Sequence, residues 1–261
     1  MPSPLARGEG QPRLALANIH KRFGSVVALD GVDFAVGAGE VVALCGDNGA
    51  GKSTLTKIMS GVYRPDDGEI RFEGQGVTIN SPEDASALGI STVYQDLALC
   101  ENLDVVANLF LGRERGPATL PPPLRPLDED AMEAKTLEVL AGLAVKLPSV
   151  RRPVSFLSGG QRQAVAVSRA VLWGSRVVLL DEPTAALGVE QTAMVLRLVR
   201  QLRERGLAVV LISHNLADVF RVADHIVVLR QGRRVGSFVT AETKSQDVVA
   251  AITGGNLLAE A

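Results

Sequence analysis

The chain has 261 residues, 46% of them hydrophobic, and its 27 basic and 29 acidic side chains leave a net charge of −2. That is enough apolar material to bury the core of one large domain, or a core with a subdomain, and a near-neutral balance carries no basic face or arm for nucleic acid. Two cysteines, Cys45 and Cys100, make no disulfide framework and fit a reducing cytoplasm, while no run approaches the roughly 20 apolar residues of a membrane span.

Residues 1–12 carry Pro2, Pro4 and Gly8 but no apolar stretch, so a disordered tail is expected here and a secretory signal is not. Up to residue 36 the alternation in LALANIHKRF and VALDGVDFAV predicts an antiparallel element beside a main sheet. Five short apolar runs then read as strands buried on both faces: 40–46, 90–94, 176–181, 207–213 and 225–230. Helical patterns at 52–60, 129–142, 160–173, 190–205 and 215–222 separate them, so the fold class is α/β with a mainly parallel sheet. A short helix is expected over 81–89, opened by Ser81 and Pro82 and closed by Gly89. Between 112 and 127 the text RERGPATLPPPLRPL predicts an extended surface connection, because proline has no backbone N–H. Cys45 reads as a buried thiol in its strand, and the pairs Arg151-Arg152 and Arg233-Arg234 as solvated surface charge.

Residues 46–54 read GDNGAGKST, filling G-x-x-x-x-G-K-[ST] with Gly46, Gly51, Lys52 and Ser53 between a predicted strand and a predicted helix. The backbone of Gly46, Asp47, Asn48, Gly49, Ala50, Gly51, Lys52, Ser53 and Thr54 would curl around phosphates at a helix N-terminus. Lys52 would neutralise the β/γ-phosphates and Ser53 would ligate Mg²⁺. The strand at 176–181 ends on Asp181 and Glu182, at the carboxyl edge where ligands bind in such sheets. Asp181 is placed to hold Mg²⁺, directly or through water, and Glu182 to act as general base on an attacking water. His214 closes the next strand and could sense the γ-phosphate, while Gln95 could reach Mg²⁺ or the water. Each of these last three, taken singly, is equally an ordinary loop residue. The segment LSGGQRQ at 157–163 is a capping-box pattern, with Ser158 and Gln161 at the spacing S-x-x-Q. A capped helix start with Gly159 and Gly160 is also a candidate anion site.

With these motifs in this order, the chain resembles the ATP-binding subunit of ABC transporters, over about residues 13–237. The resemblance identifies GDNGAGKST with Walker A, Gln95 with the Q-loop, LSGGQ with the signature, VVLLDE with Walker B and His214 with the switch histidine. It also matches Phe23, in HKRFG, to the aromatic that stacks on adenine. It implies a P-loop NTPase core, an antiparallel β subdomain and a helical subdomain at about 95–165. Residues 241–261 remain as a C-terminal extension. It further implies a head-to-tail homodimer, with each ATP held between Walker A of one subunit and Ser158, Gly159, Gly160 and Gln161 of the partner subunit.

Residues 81–114 look most like subunits that energise ribose, xylose or fructose uptake. The partners so implied are a membrane permease, a periplasmic substrate-binding protein and no nucleic acid, with the chain lying peripherally on the cytoplasmic face of the inner membrane. The apolar stretch Leu97–Phe110 is expected to form the docking surface for the permease. Two other readings stand beside this one: a soluble ABC ATPase acting on ribosomes or DNA, and a non-hydrolysing nucleotide switch. The chain lacks the tandem domains or basic arms of the former, and Glu182 speaks against the latter. One departure from the family pattern falls in the loop that usually reads S-A-L-D, which is Ala185-Ala186-Leu187-Gly188 here. The missing carboxylate bears on coupling between two ATP sites, and leaves Lys52, Asp181, Glu182 and His214 untouched.

Overall fold

The computed structural model describes residues 11–114, 116 and 126–255. Most of the predicted N-terminal tail, most of the proline-rich connection and the last residues of the C-terminal extension lie outside the described residues. The chain divides into two compact units: residues 1–95, 175–183 and 199–261 form the first, and residues 96–174 and 184–198 the second.

The first unit is built on two sheets. Strands β1 (Leu14–Phe23) and β2 (Val26–Val36) pair antiparallel across the two-residue turn Gly24-Ser25, and β4 (Asp67–Phe72) and β5 (Gln75–Val77) extend that sheet in the order β2-β1-β4-β5. The main sheet contains β3 (Val41–Cys45), β6 (Ile90–Val93), β7 (Val177–Asp181), β8 (Ala208–Ile212), β9 (His225–Arg230) and β10 (Arg233–Val239), ordered β10-β9-β3-β8-β7-β6. From β9 to β6 it is parallel, and only β10 runs antiparallel to its neighbour. The α/β class expected from the apolar runs is therefore the observed one.

Continuous apolar runs make parallel strands because helices cover both faces of such a sheet. Every residue of β3 and β8 is buried. Val42, Leu44, Val177, Leu179, Val210 and Ile212 enter one core together with Leu55, Ile58 and Met59 of α1 (Lys52–Met59) and with Leu16, Phe34 and Ile70 of the antiparallel sheet. The short helix α2 (Pro82–Ala87) is capped by the Ser81 hydroxyl, which accepts from Asp84 N, and has proline in its first turn as the sequence predicts.

The second unit packs α3 (Val105–Phe110), α4 (Glu129–Gly142) and α5 (Gly159–Leu172) around Val105, Leu109, Phe110, Met132, Leu140, Leu157 and Val165. The first half of α6 (Val189–Glu204) also belongs to it. This core overturns one expectation. Val105, Val106, Leu109 and Phe110 are buried, so the α3 part of the stretch Leu97–Phe110 faces the unit's interior and offers no open docking surface, while residues 97–104 are half-buried or exposed. The sequence shows the apolar residues of α3 but not which neighbours cover them.

Arg151 is exposed, as read, and lies 2.6 Å from Glu133, 3.0 Å from Glu129 and 3.6 Å from Asp104. Asn108, wholly buried on α3, accepts from Cys100 N at 2.7 Å and donates through Nδ2 to the carbonyls of Cys100, Leu103 and Asp104. It satisfies the loop that enters α3. Asn108→Ala should remove at least about 2 kcal/mol of stability, because buried backbone groups lose their partners; urea denaturation of the full chain checks this.

Candidate functional site

The turn from β3 into α1 begins at Gly46, where φ is 147°. A Cβ there would collide with the Leu229 carbonyl oxygen of β9, so only glycine allows this approach. Gly51 is the N-cap of α1, with φ 104°, and supplies no side-chain cap. The first-turn N–H groups of a helix have no intrahelical partners, and here they follow an exposed loop of Asp47, Asn48 and Gly49. By contrast, α2, α3, α4, α5 and α7 (Leu216–Val222) all carry a side-chain cap. An uncapped helix start with its positive dipole end open is an anion site. Lys52 Nζ folds over the same loop, donating to the carbonyls of Gly46 at 2.7 Å and Asp47 at 2.9 Å. Ser53 is exposed and Thr54 half-buried in the same turn.

Strand order places the other chemistry beside it. β3, β8 and β7 are consecutive in the sheet, so Asp181, Glu182 and His214 leave from the same edge as the loop. Glu182 has φ 49°, a left-handed conformation that costs a non-glycine residue about 1–3 kcal/mol. Its N–H is held by the Ile212 carbonyl at 2.9 Å. Its carboxylate meets His214 Nδ1 at 2.9 Å, with the Glu182 side chain 17% and the His214 side chain 73% exposed. Burial pushes the Asp181 carboxyl above its ordinary value, the charge of Glu182 adds to this, and Lys52 and Lys57 oppose it. Gln95 is exposed two residues beyond β6. Phe23 ends β1 and is 43% exposed.

The arrangement is an open glycine-rich loop at a helix start, with a lysine, two adjacent carboxylates and a histidine on one of them. A family model described as ABC transporter matches residues 29–185. The chain belongs to the ABC transporter family. It is similar to the xylose/arabinose import ATP-binding protein of Sulfolobus acidocaldarius, 45% identical over 92% of this chain and 93% of that one. The fructose import ATP-binding protein of Rhizobium meliloti is 47% identical over 94% and 95%. A ribose import ATP-binding protein of Rubrobacter xylanophilus is 43% identical, and there the match covers 95% of this chain but 48% of the relative. Among solved structures, an ATP-binding cassette of an ABC transporter in its ADP conformation superposes with a TM-score of 0.79 at 26% identity, covering 93% of this chain and 95% of that one.

In this ABC chain the signature residues lie in the second unit. Ser158 Oγ accepts from Gln161 N at 3.3 Å and Gln161 Oε1 accepts from Ser158 N at 2.9 Å, the reciprocal capping box that the spacing predicts. Gly159 and Gly160 follow in the first turn of α5. Gly188 precedes α6, and a Cβ there would meet nothing within 4 Å.

Sequence reasoning missed the brace behind the loop. Gly232, in the turn between β9 and β10, donates to the Ala50 carbonyl at 3.1 Å and accepts from Asp30 N at 2.8 Å. Its only local signal is a Gln-Gly turn, which says nothing of a partner about 180 residues away.

Cys45, buried directly before the loop, has its thiol pushed up to about 12 by burial, with Lys52 opposing and Glu182 adding. In the folded chain at pH 8 iodoacetamide should leave Cys45 unmodified and should label it after denaturation, as read by peptide mass. Because the folded pKa is raised, this group's contribution to stability is intact below the ordinary thiol range and is lost as pH climbs towards about 12. A second expectation concerns the open position at 188: Gly188→Asp should shift unfolding by no more than about 0.5 kcal/mol, measured in the same urea titration.

Proposed function

We propose that this chain is the ATP-hydrolysing subunit of an ABC importer for a monosaccharide, acting as a pair of copies beneath a membrane permease. The observation that carries it is the uncapped α1 start with Lys52 folded over it, beside the two carboxylates at the end of β7 and the histidine that follows β8. The relatives at 43–47% identity are named for import of xylose or arabinose, fructose and ribose, which supports the sugar class. No helix among the described residues is long and apolar enough to cross a membrane; in this reading the permease is a partner subunit. A periplasmic binding protein delivers the solute, and the chain sits at the cytoplasmic face of the inner membrane.

In this reading the N–H groups of Gly49, Gly51, Lys52, Ser53 and Thr54 and the Lys52 ammonium hold the β- and γ-phosphates of ATP. Phe23 stacks on the adenine. Ser53 hydroxyl, Gln95 amide and Asp181 carboxylate are hard oxygen donors of the kind Mg²⁺ takes. Among the described residues no group of three or more His, Cys, Asp and Glu forms a metal cage, which suits an ion completed by phosphate and water. The raised pKa of Asp181 next to Glu182 fits the same assignment, since a cation would relieve two crowded carboxylates. Mg²⁺ bound there would neutralise charge developing on the phosphates.

Glu182 accepts a proton from the water that attacks the γ-phosphorus as the bond to the β-phosphate bridging oxygen breaks, releasing ADP and phosphate. His214, hydrogen bonded to Glu182 when Nδ1 carries a proton, fixes the direction of that carboxylate and can turn to the γ-phosphate. Ser158, Gly159, Gly160 and Gln161 of the partner subunit close the phosphates from the far side. Permease docking does not use the buried side chains of α3.

Glu182→Gln tests the hydrolytic step. Phosphate release from MgATP should fall by about 10²–10⁴-fold, the usual worth of a general base, while ATP binding persists. The variant should also accumulate as an ATP-bound dimer by size-exclusion chromatography. Unchanged phosphate release would sink the role of Glu182, and a chain that stays monomeric with ATP would sink the paired site.

A further inference from the structure

We infer that Tyr63 is a positioning residue that fixes the Phe23 ring at a set distance from the phosphate loop, and so sets how base and triphosphate are held together. The inference rests on the reading of Phe23 as the base platform. Phe23 is the last residue of β1, and the hairpin around it offers little cover, with Val26 and Val27 themselves exposed. A ring in that place has no steric reason to keep one orientation. The Tyr63 ring supplies one: the two centroids are 5.1 Å apart with the planes at 64°, an edge-to-face pair.

Tyr63 is itself tied to the helix that begins at the phosphate loop. Its N–H donates to the Lys57 carbonyl at 3.0 Å, and Val62 N–H donates to the same oxygen at 2.8 Å. Its ring packs on the core that contains Leu55, Ile58 and Met59 of α1, with Lys57 Nζ 5.3 Å from the ring centroid. The next residues are tied back to β1. Asp66 N donates to the His20 carbonyl at 2.9 Å, while the Asp66 carboxylate accepts from Arg22 N at 2.7 Å and from Lys21 Nζ at 2.6 Å. Lys21 Nζ in turn lies 5.5 Å from the Phe23 ring centroid. The segment 62–66 is thus a strut. It runs from the C-terminal end of α1 to the end of β1, and α1, at about 1.5 Å per residue, is a rigid spacer between the strut and the loop at its other end.

Calorimetric titration of the full chain with adenylyl imidodiphosphate and, separately, with inorganic tripolyphosphate reads the effect of the strut on each part of the ligand. Tyr63→Leu should weaken the nucleotide by about three- to tenfold, the range of an aromatic pair, and leave tripolyphosphate within about twofold. Tyr63→Phe keeps the ring and should bind both ligands like the native chain. Equal losses for nucleotide and tripolyphosphate in Tyr63→Leu would mean a general structural role and overturn the inference. Phe23→Ala separates the two layers of the reading. If it weakens nucleotide while Tyr63→Leu does not, the strut is wrong; if neither variant weakens nucleotide, the base platform at Phe23 is wrong and the strut falls with it.

Discussion

The close approach of Gly46 to the Leu229 carbonyl governs the rest of the site, because it decides where the chain leaves β3 and hence where α1 begins. A loop held by its own side chains would spend its N–H groups on internal caps, as the starts of α2, α3, α4, α5 and α7 do. Here the holding is done from behind. Gly232 grips the Ala50 carbonyl, and Gly51 fits against the Ala28 carbonyl so closely that a Cβ would stand 2.8 Å from it. Within the loop Asn48 N–H goes to the Asp47 carboxylate and Ala50 N–H to the Asp47 carbonyl, but the first-turn amides of α1 meet no side-chain cap, which is the physical condition for a backbone anion site.

The same economy of placement explains the strained glutamate. A strand directs successive side chains to opposite faces, so an undistorted continuation of β7 would direct Glu182 away from the Asp181 side. Its φ of 49° breaks the alternation, and the bond from its N–H to Ile212 holds the break. Strain of this kind persists only where surrounding structure over-determines it. Neighbouring β8 does so, and it also delivers His214, so one strand both stabilises the distorted residue and supplies its partner.

The core strands and long helices were legible because their signals are local. The run HIVVLR at 225–230 and the helix at 129–142 have the bounds that the apolar pattern implies. β4, β5 and β10 were not read, since DGEIRF, QGV and RRVGSFV are largely exposed and carry weak apolar patterns. The six residues of α3 are too few for a helical period to stand out. For the site, glycine spacing and strand-end carboxylates were readable because backbone curvature and sheet edges are encoded nearby. Tyr63, Gly232 and the Arg151 network were not, since each acts through contacts distant in sequence.

The signature segment at first looks like a rival to its own proposed use, because a capping box consumes donors. It consumes only some. Ser158 Oγ takes the Gln161 N–H and Gln161 Oε1 takes the Ser158 N–H, but the N–H groups of Gly159 and Gly160 lie in the first turn, where no intrahelical acceptor exists. The Ser158 hydroxyl, acting as acceptor in the box, still has its own hydrogen to donate. Capping therefore sets the geometry of the turn and leaves donors for an anion. The two glycines answer a second demand within the same unit: a Cβ on Gly159 would stand 2.8 Å from Leu187 Cδ2, and one on Gly160 2.7 Å from Met194 Cε. The segment before α6 thus presses on the signature turn through Leu187, one residue short of Gly188. Loss of a carboxylate at 188 leaves that contact in place. Whatever Gly188 changes must therefore arise at the surface it exposes, and not in how this unit holds its own signature.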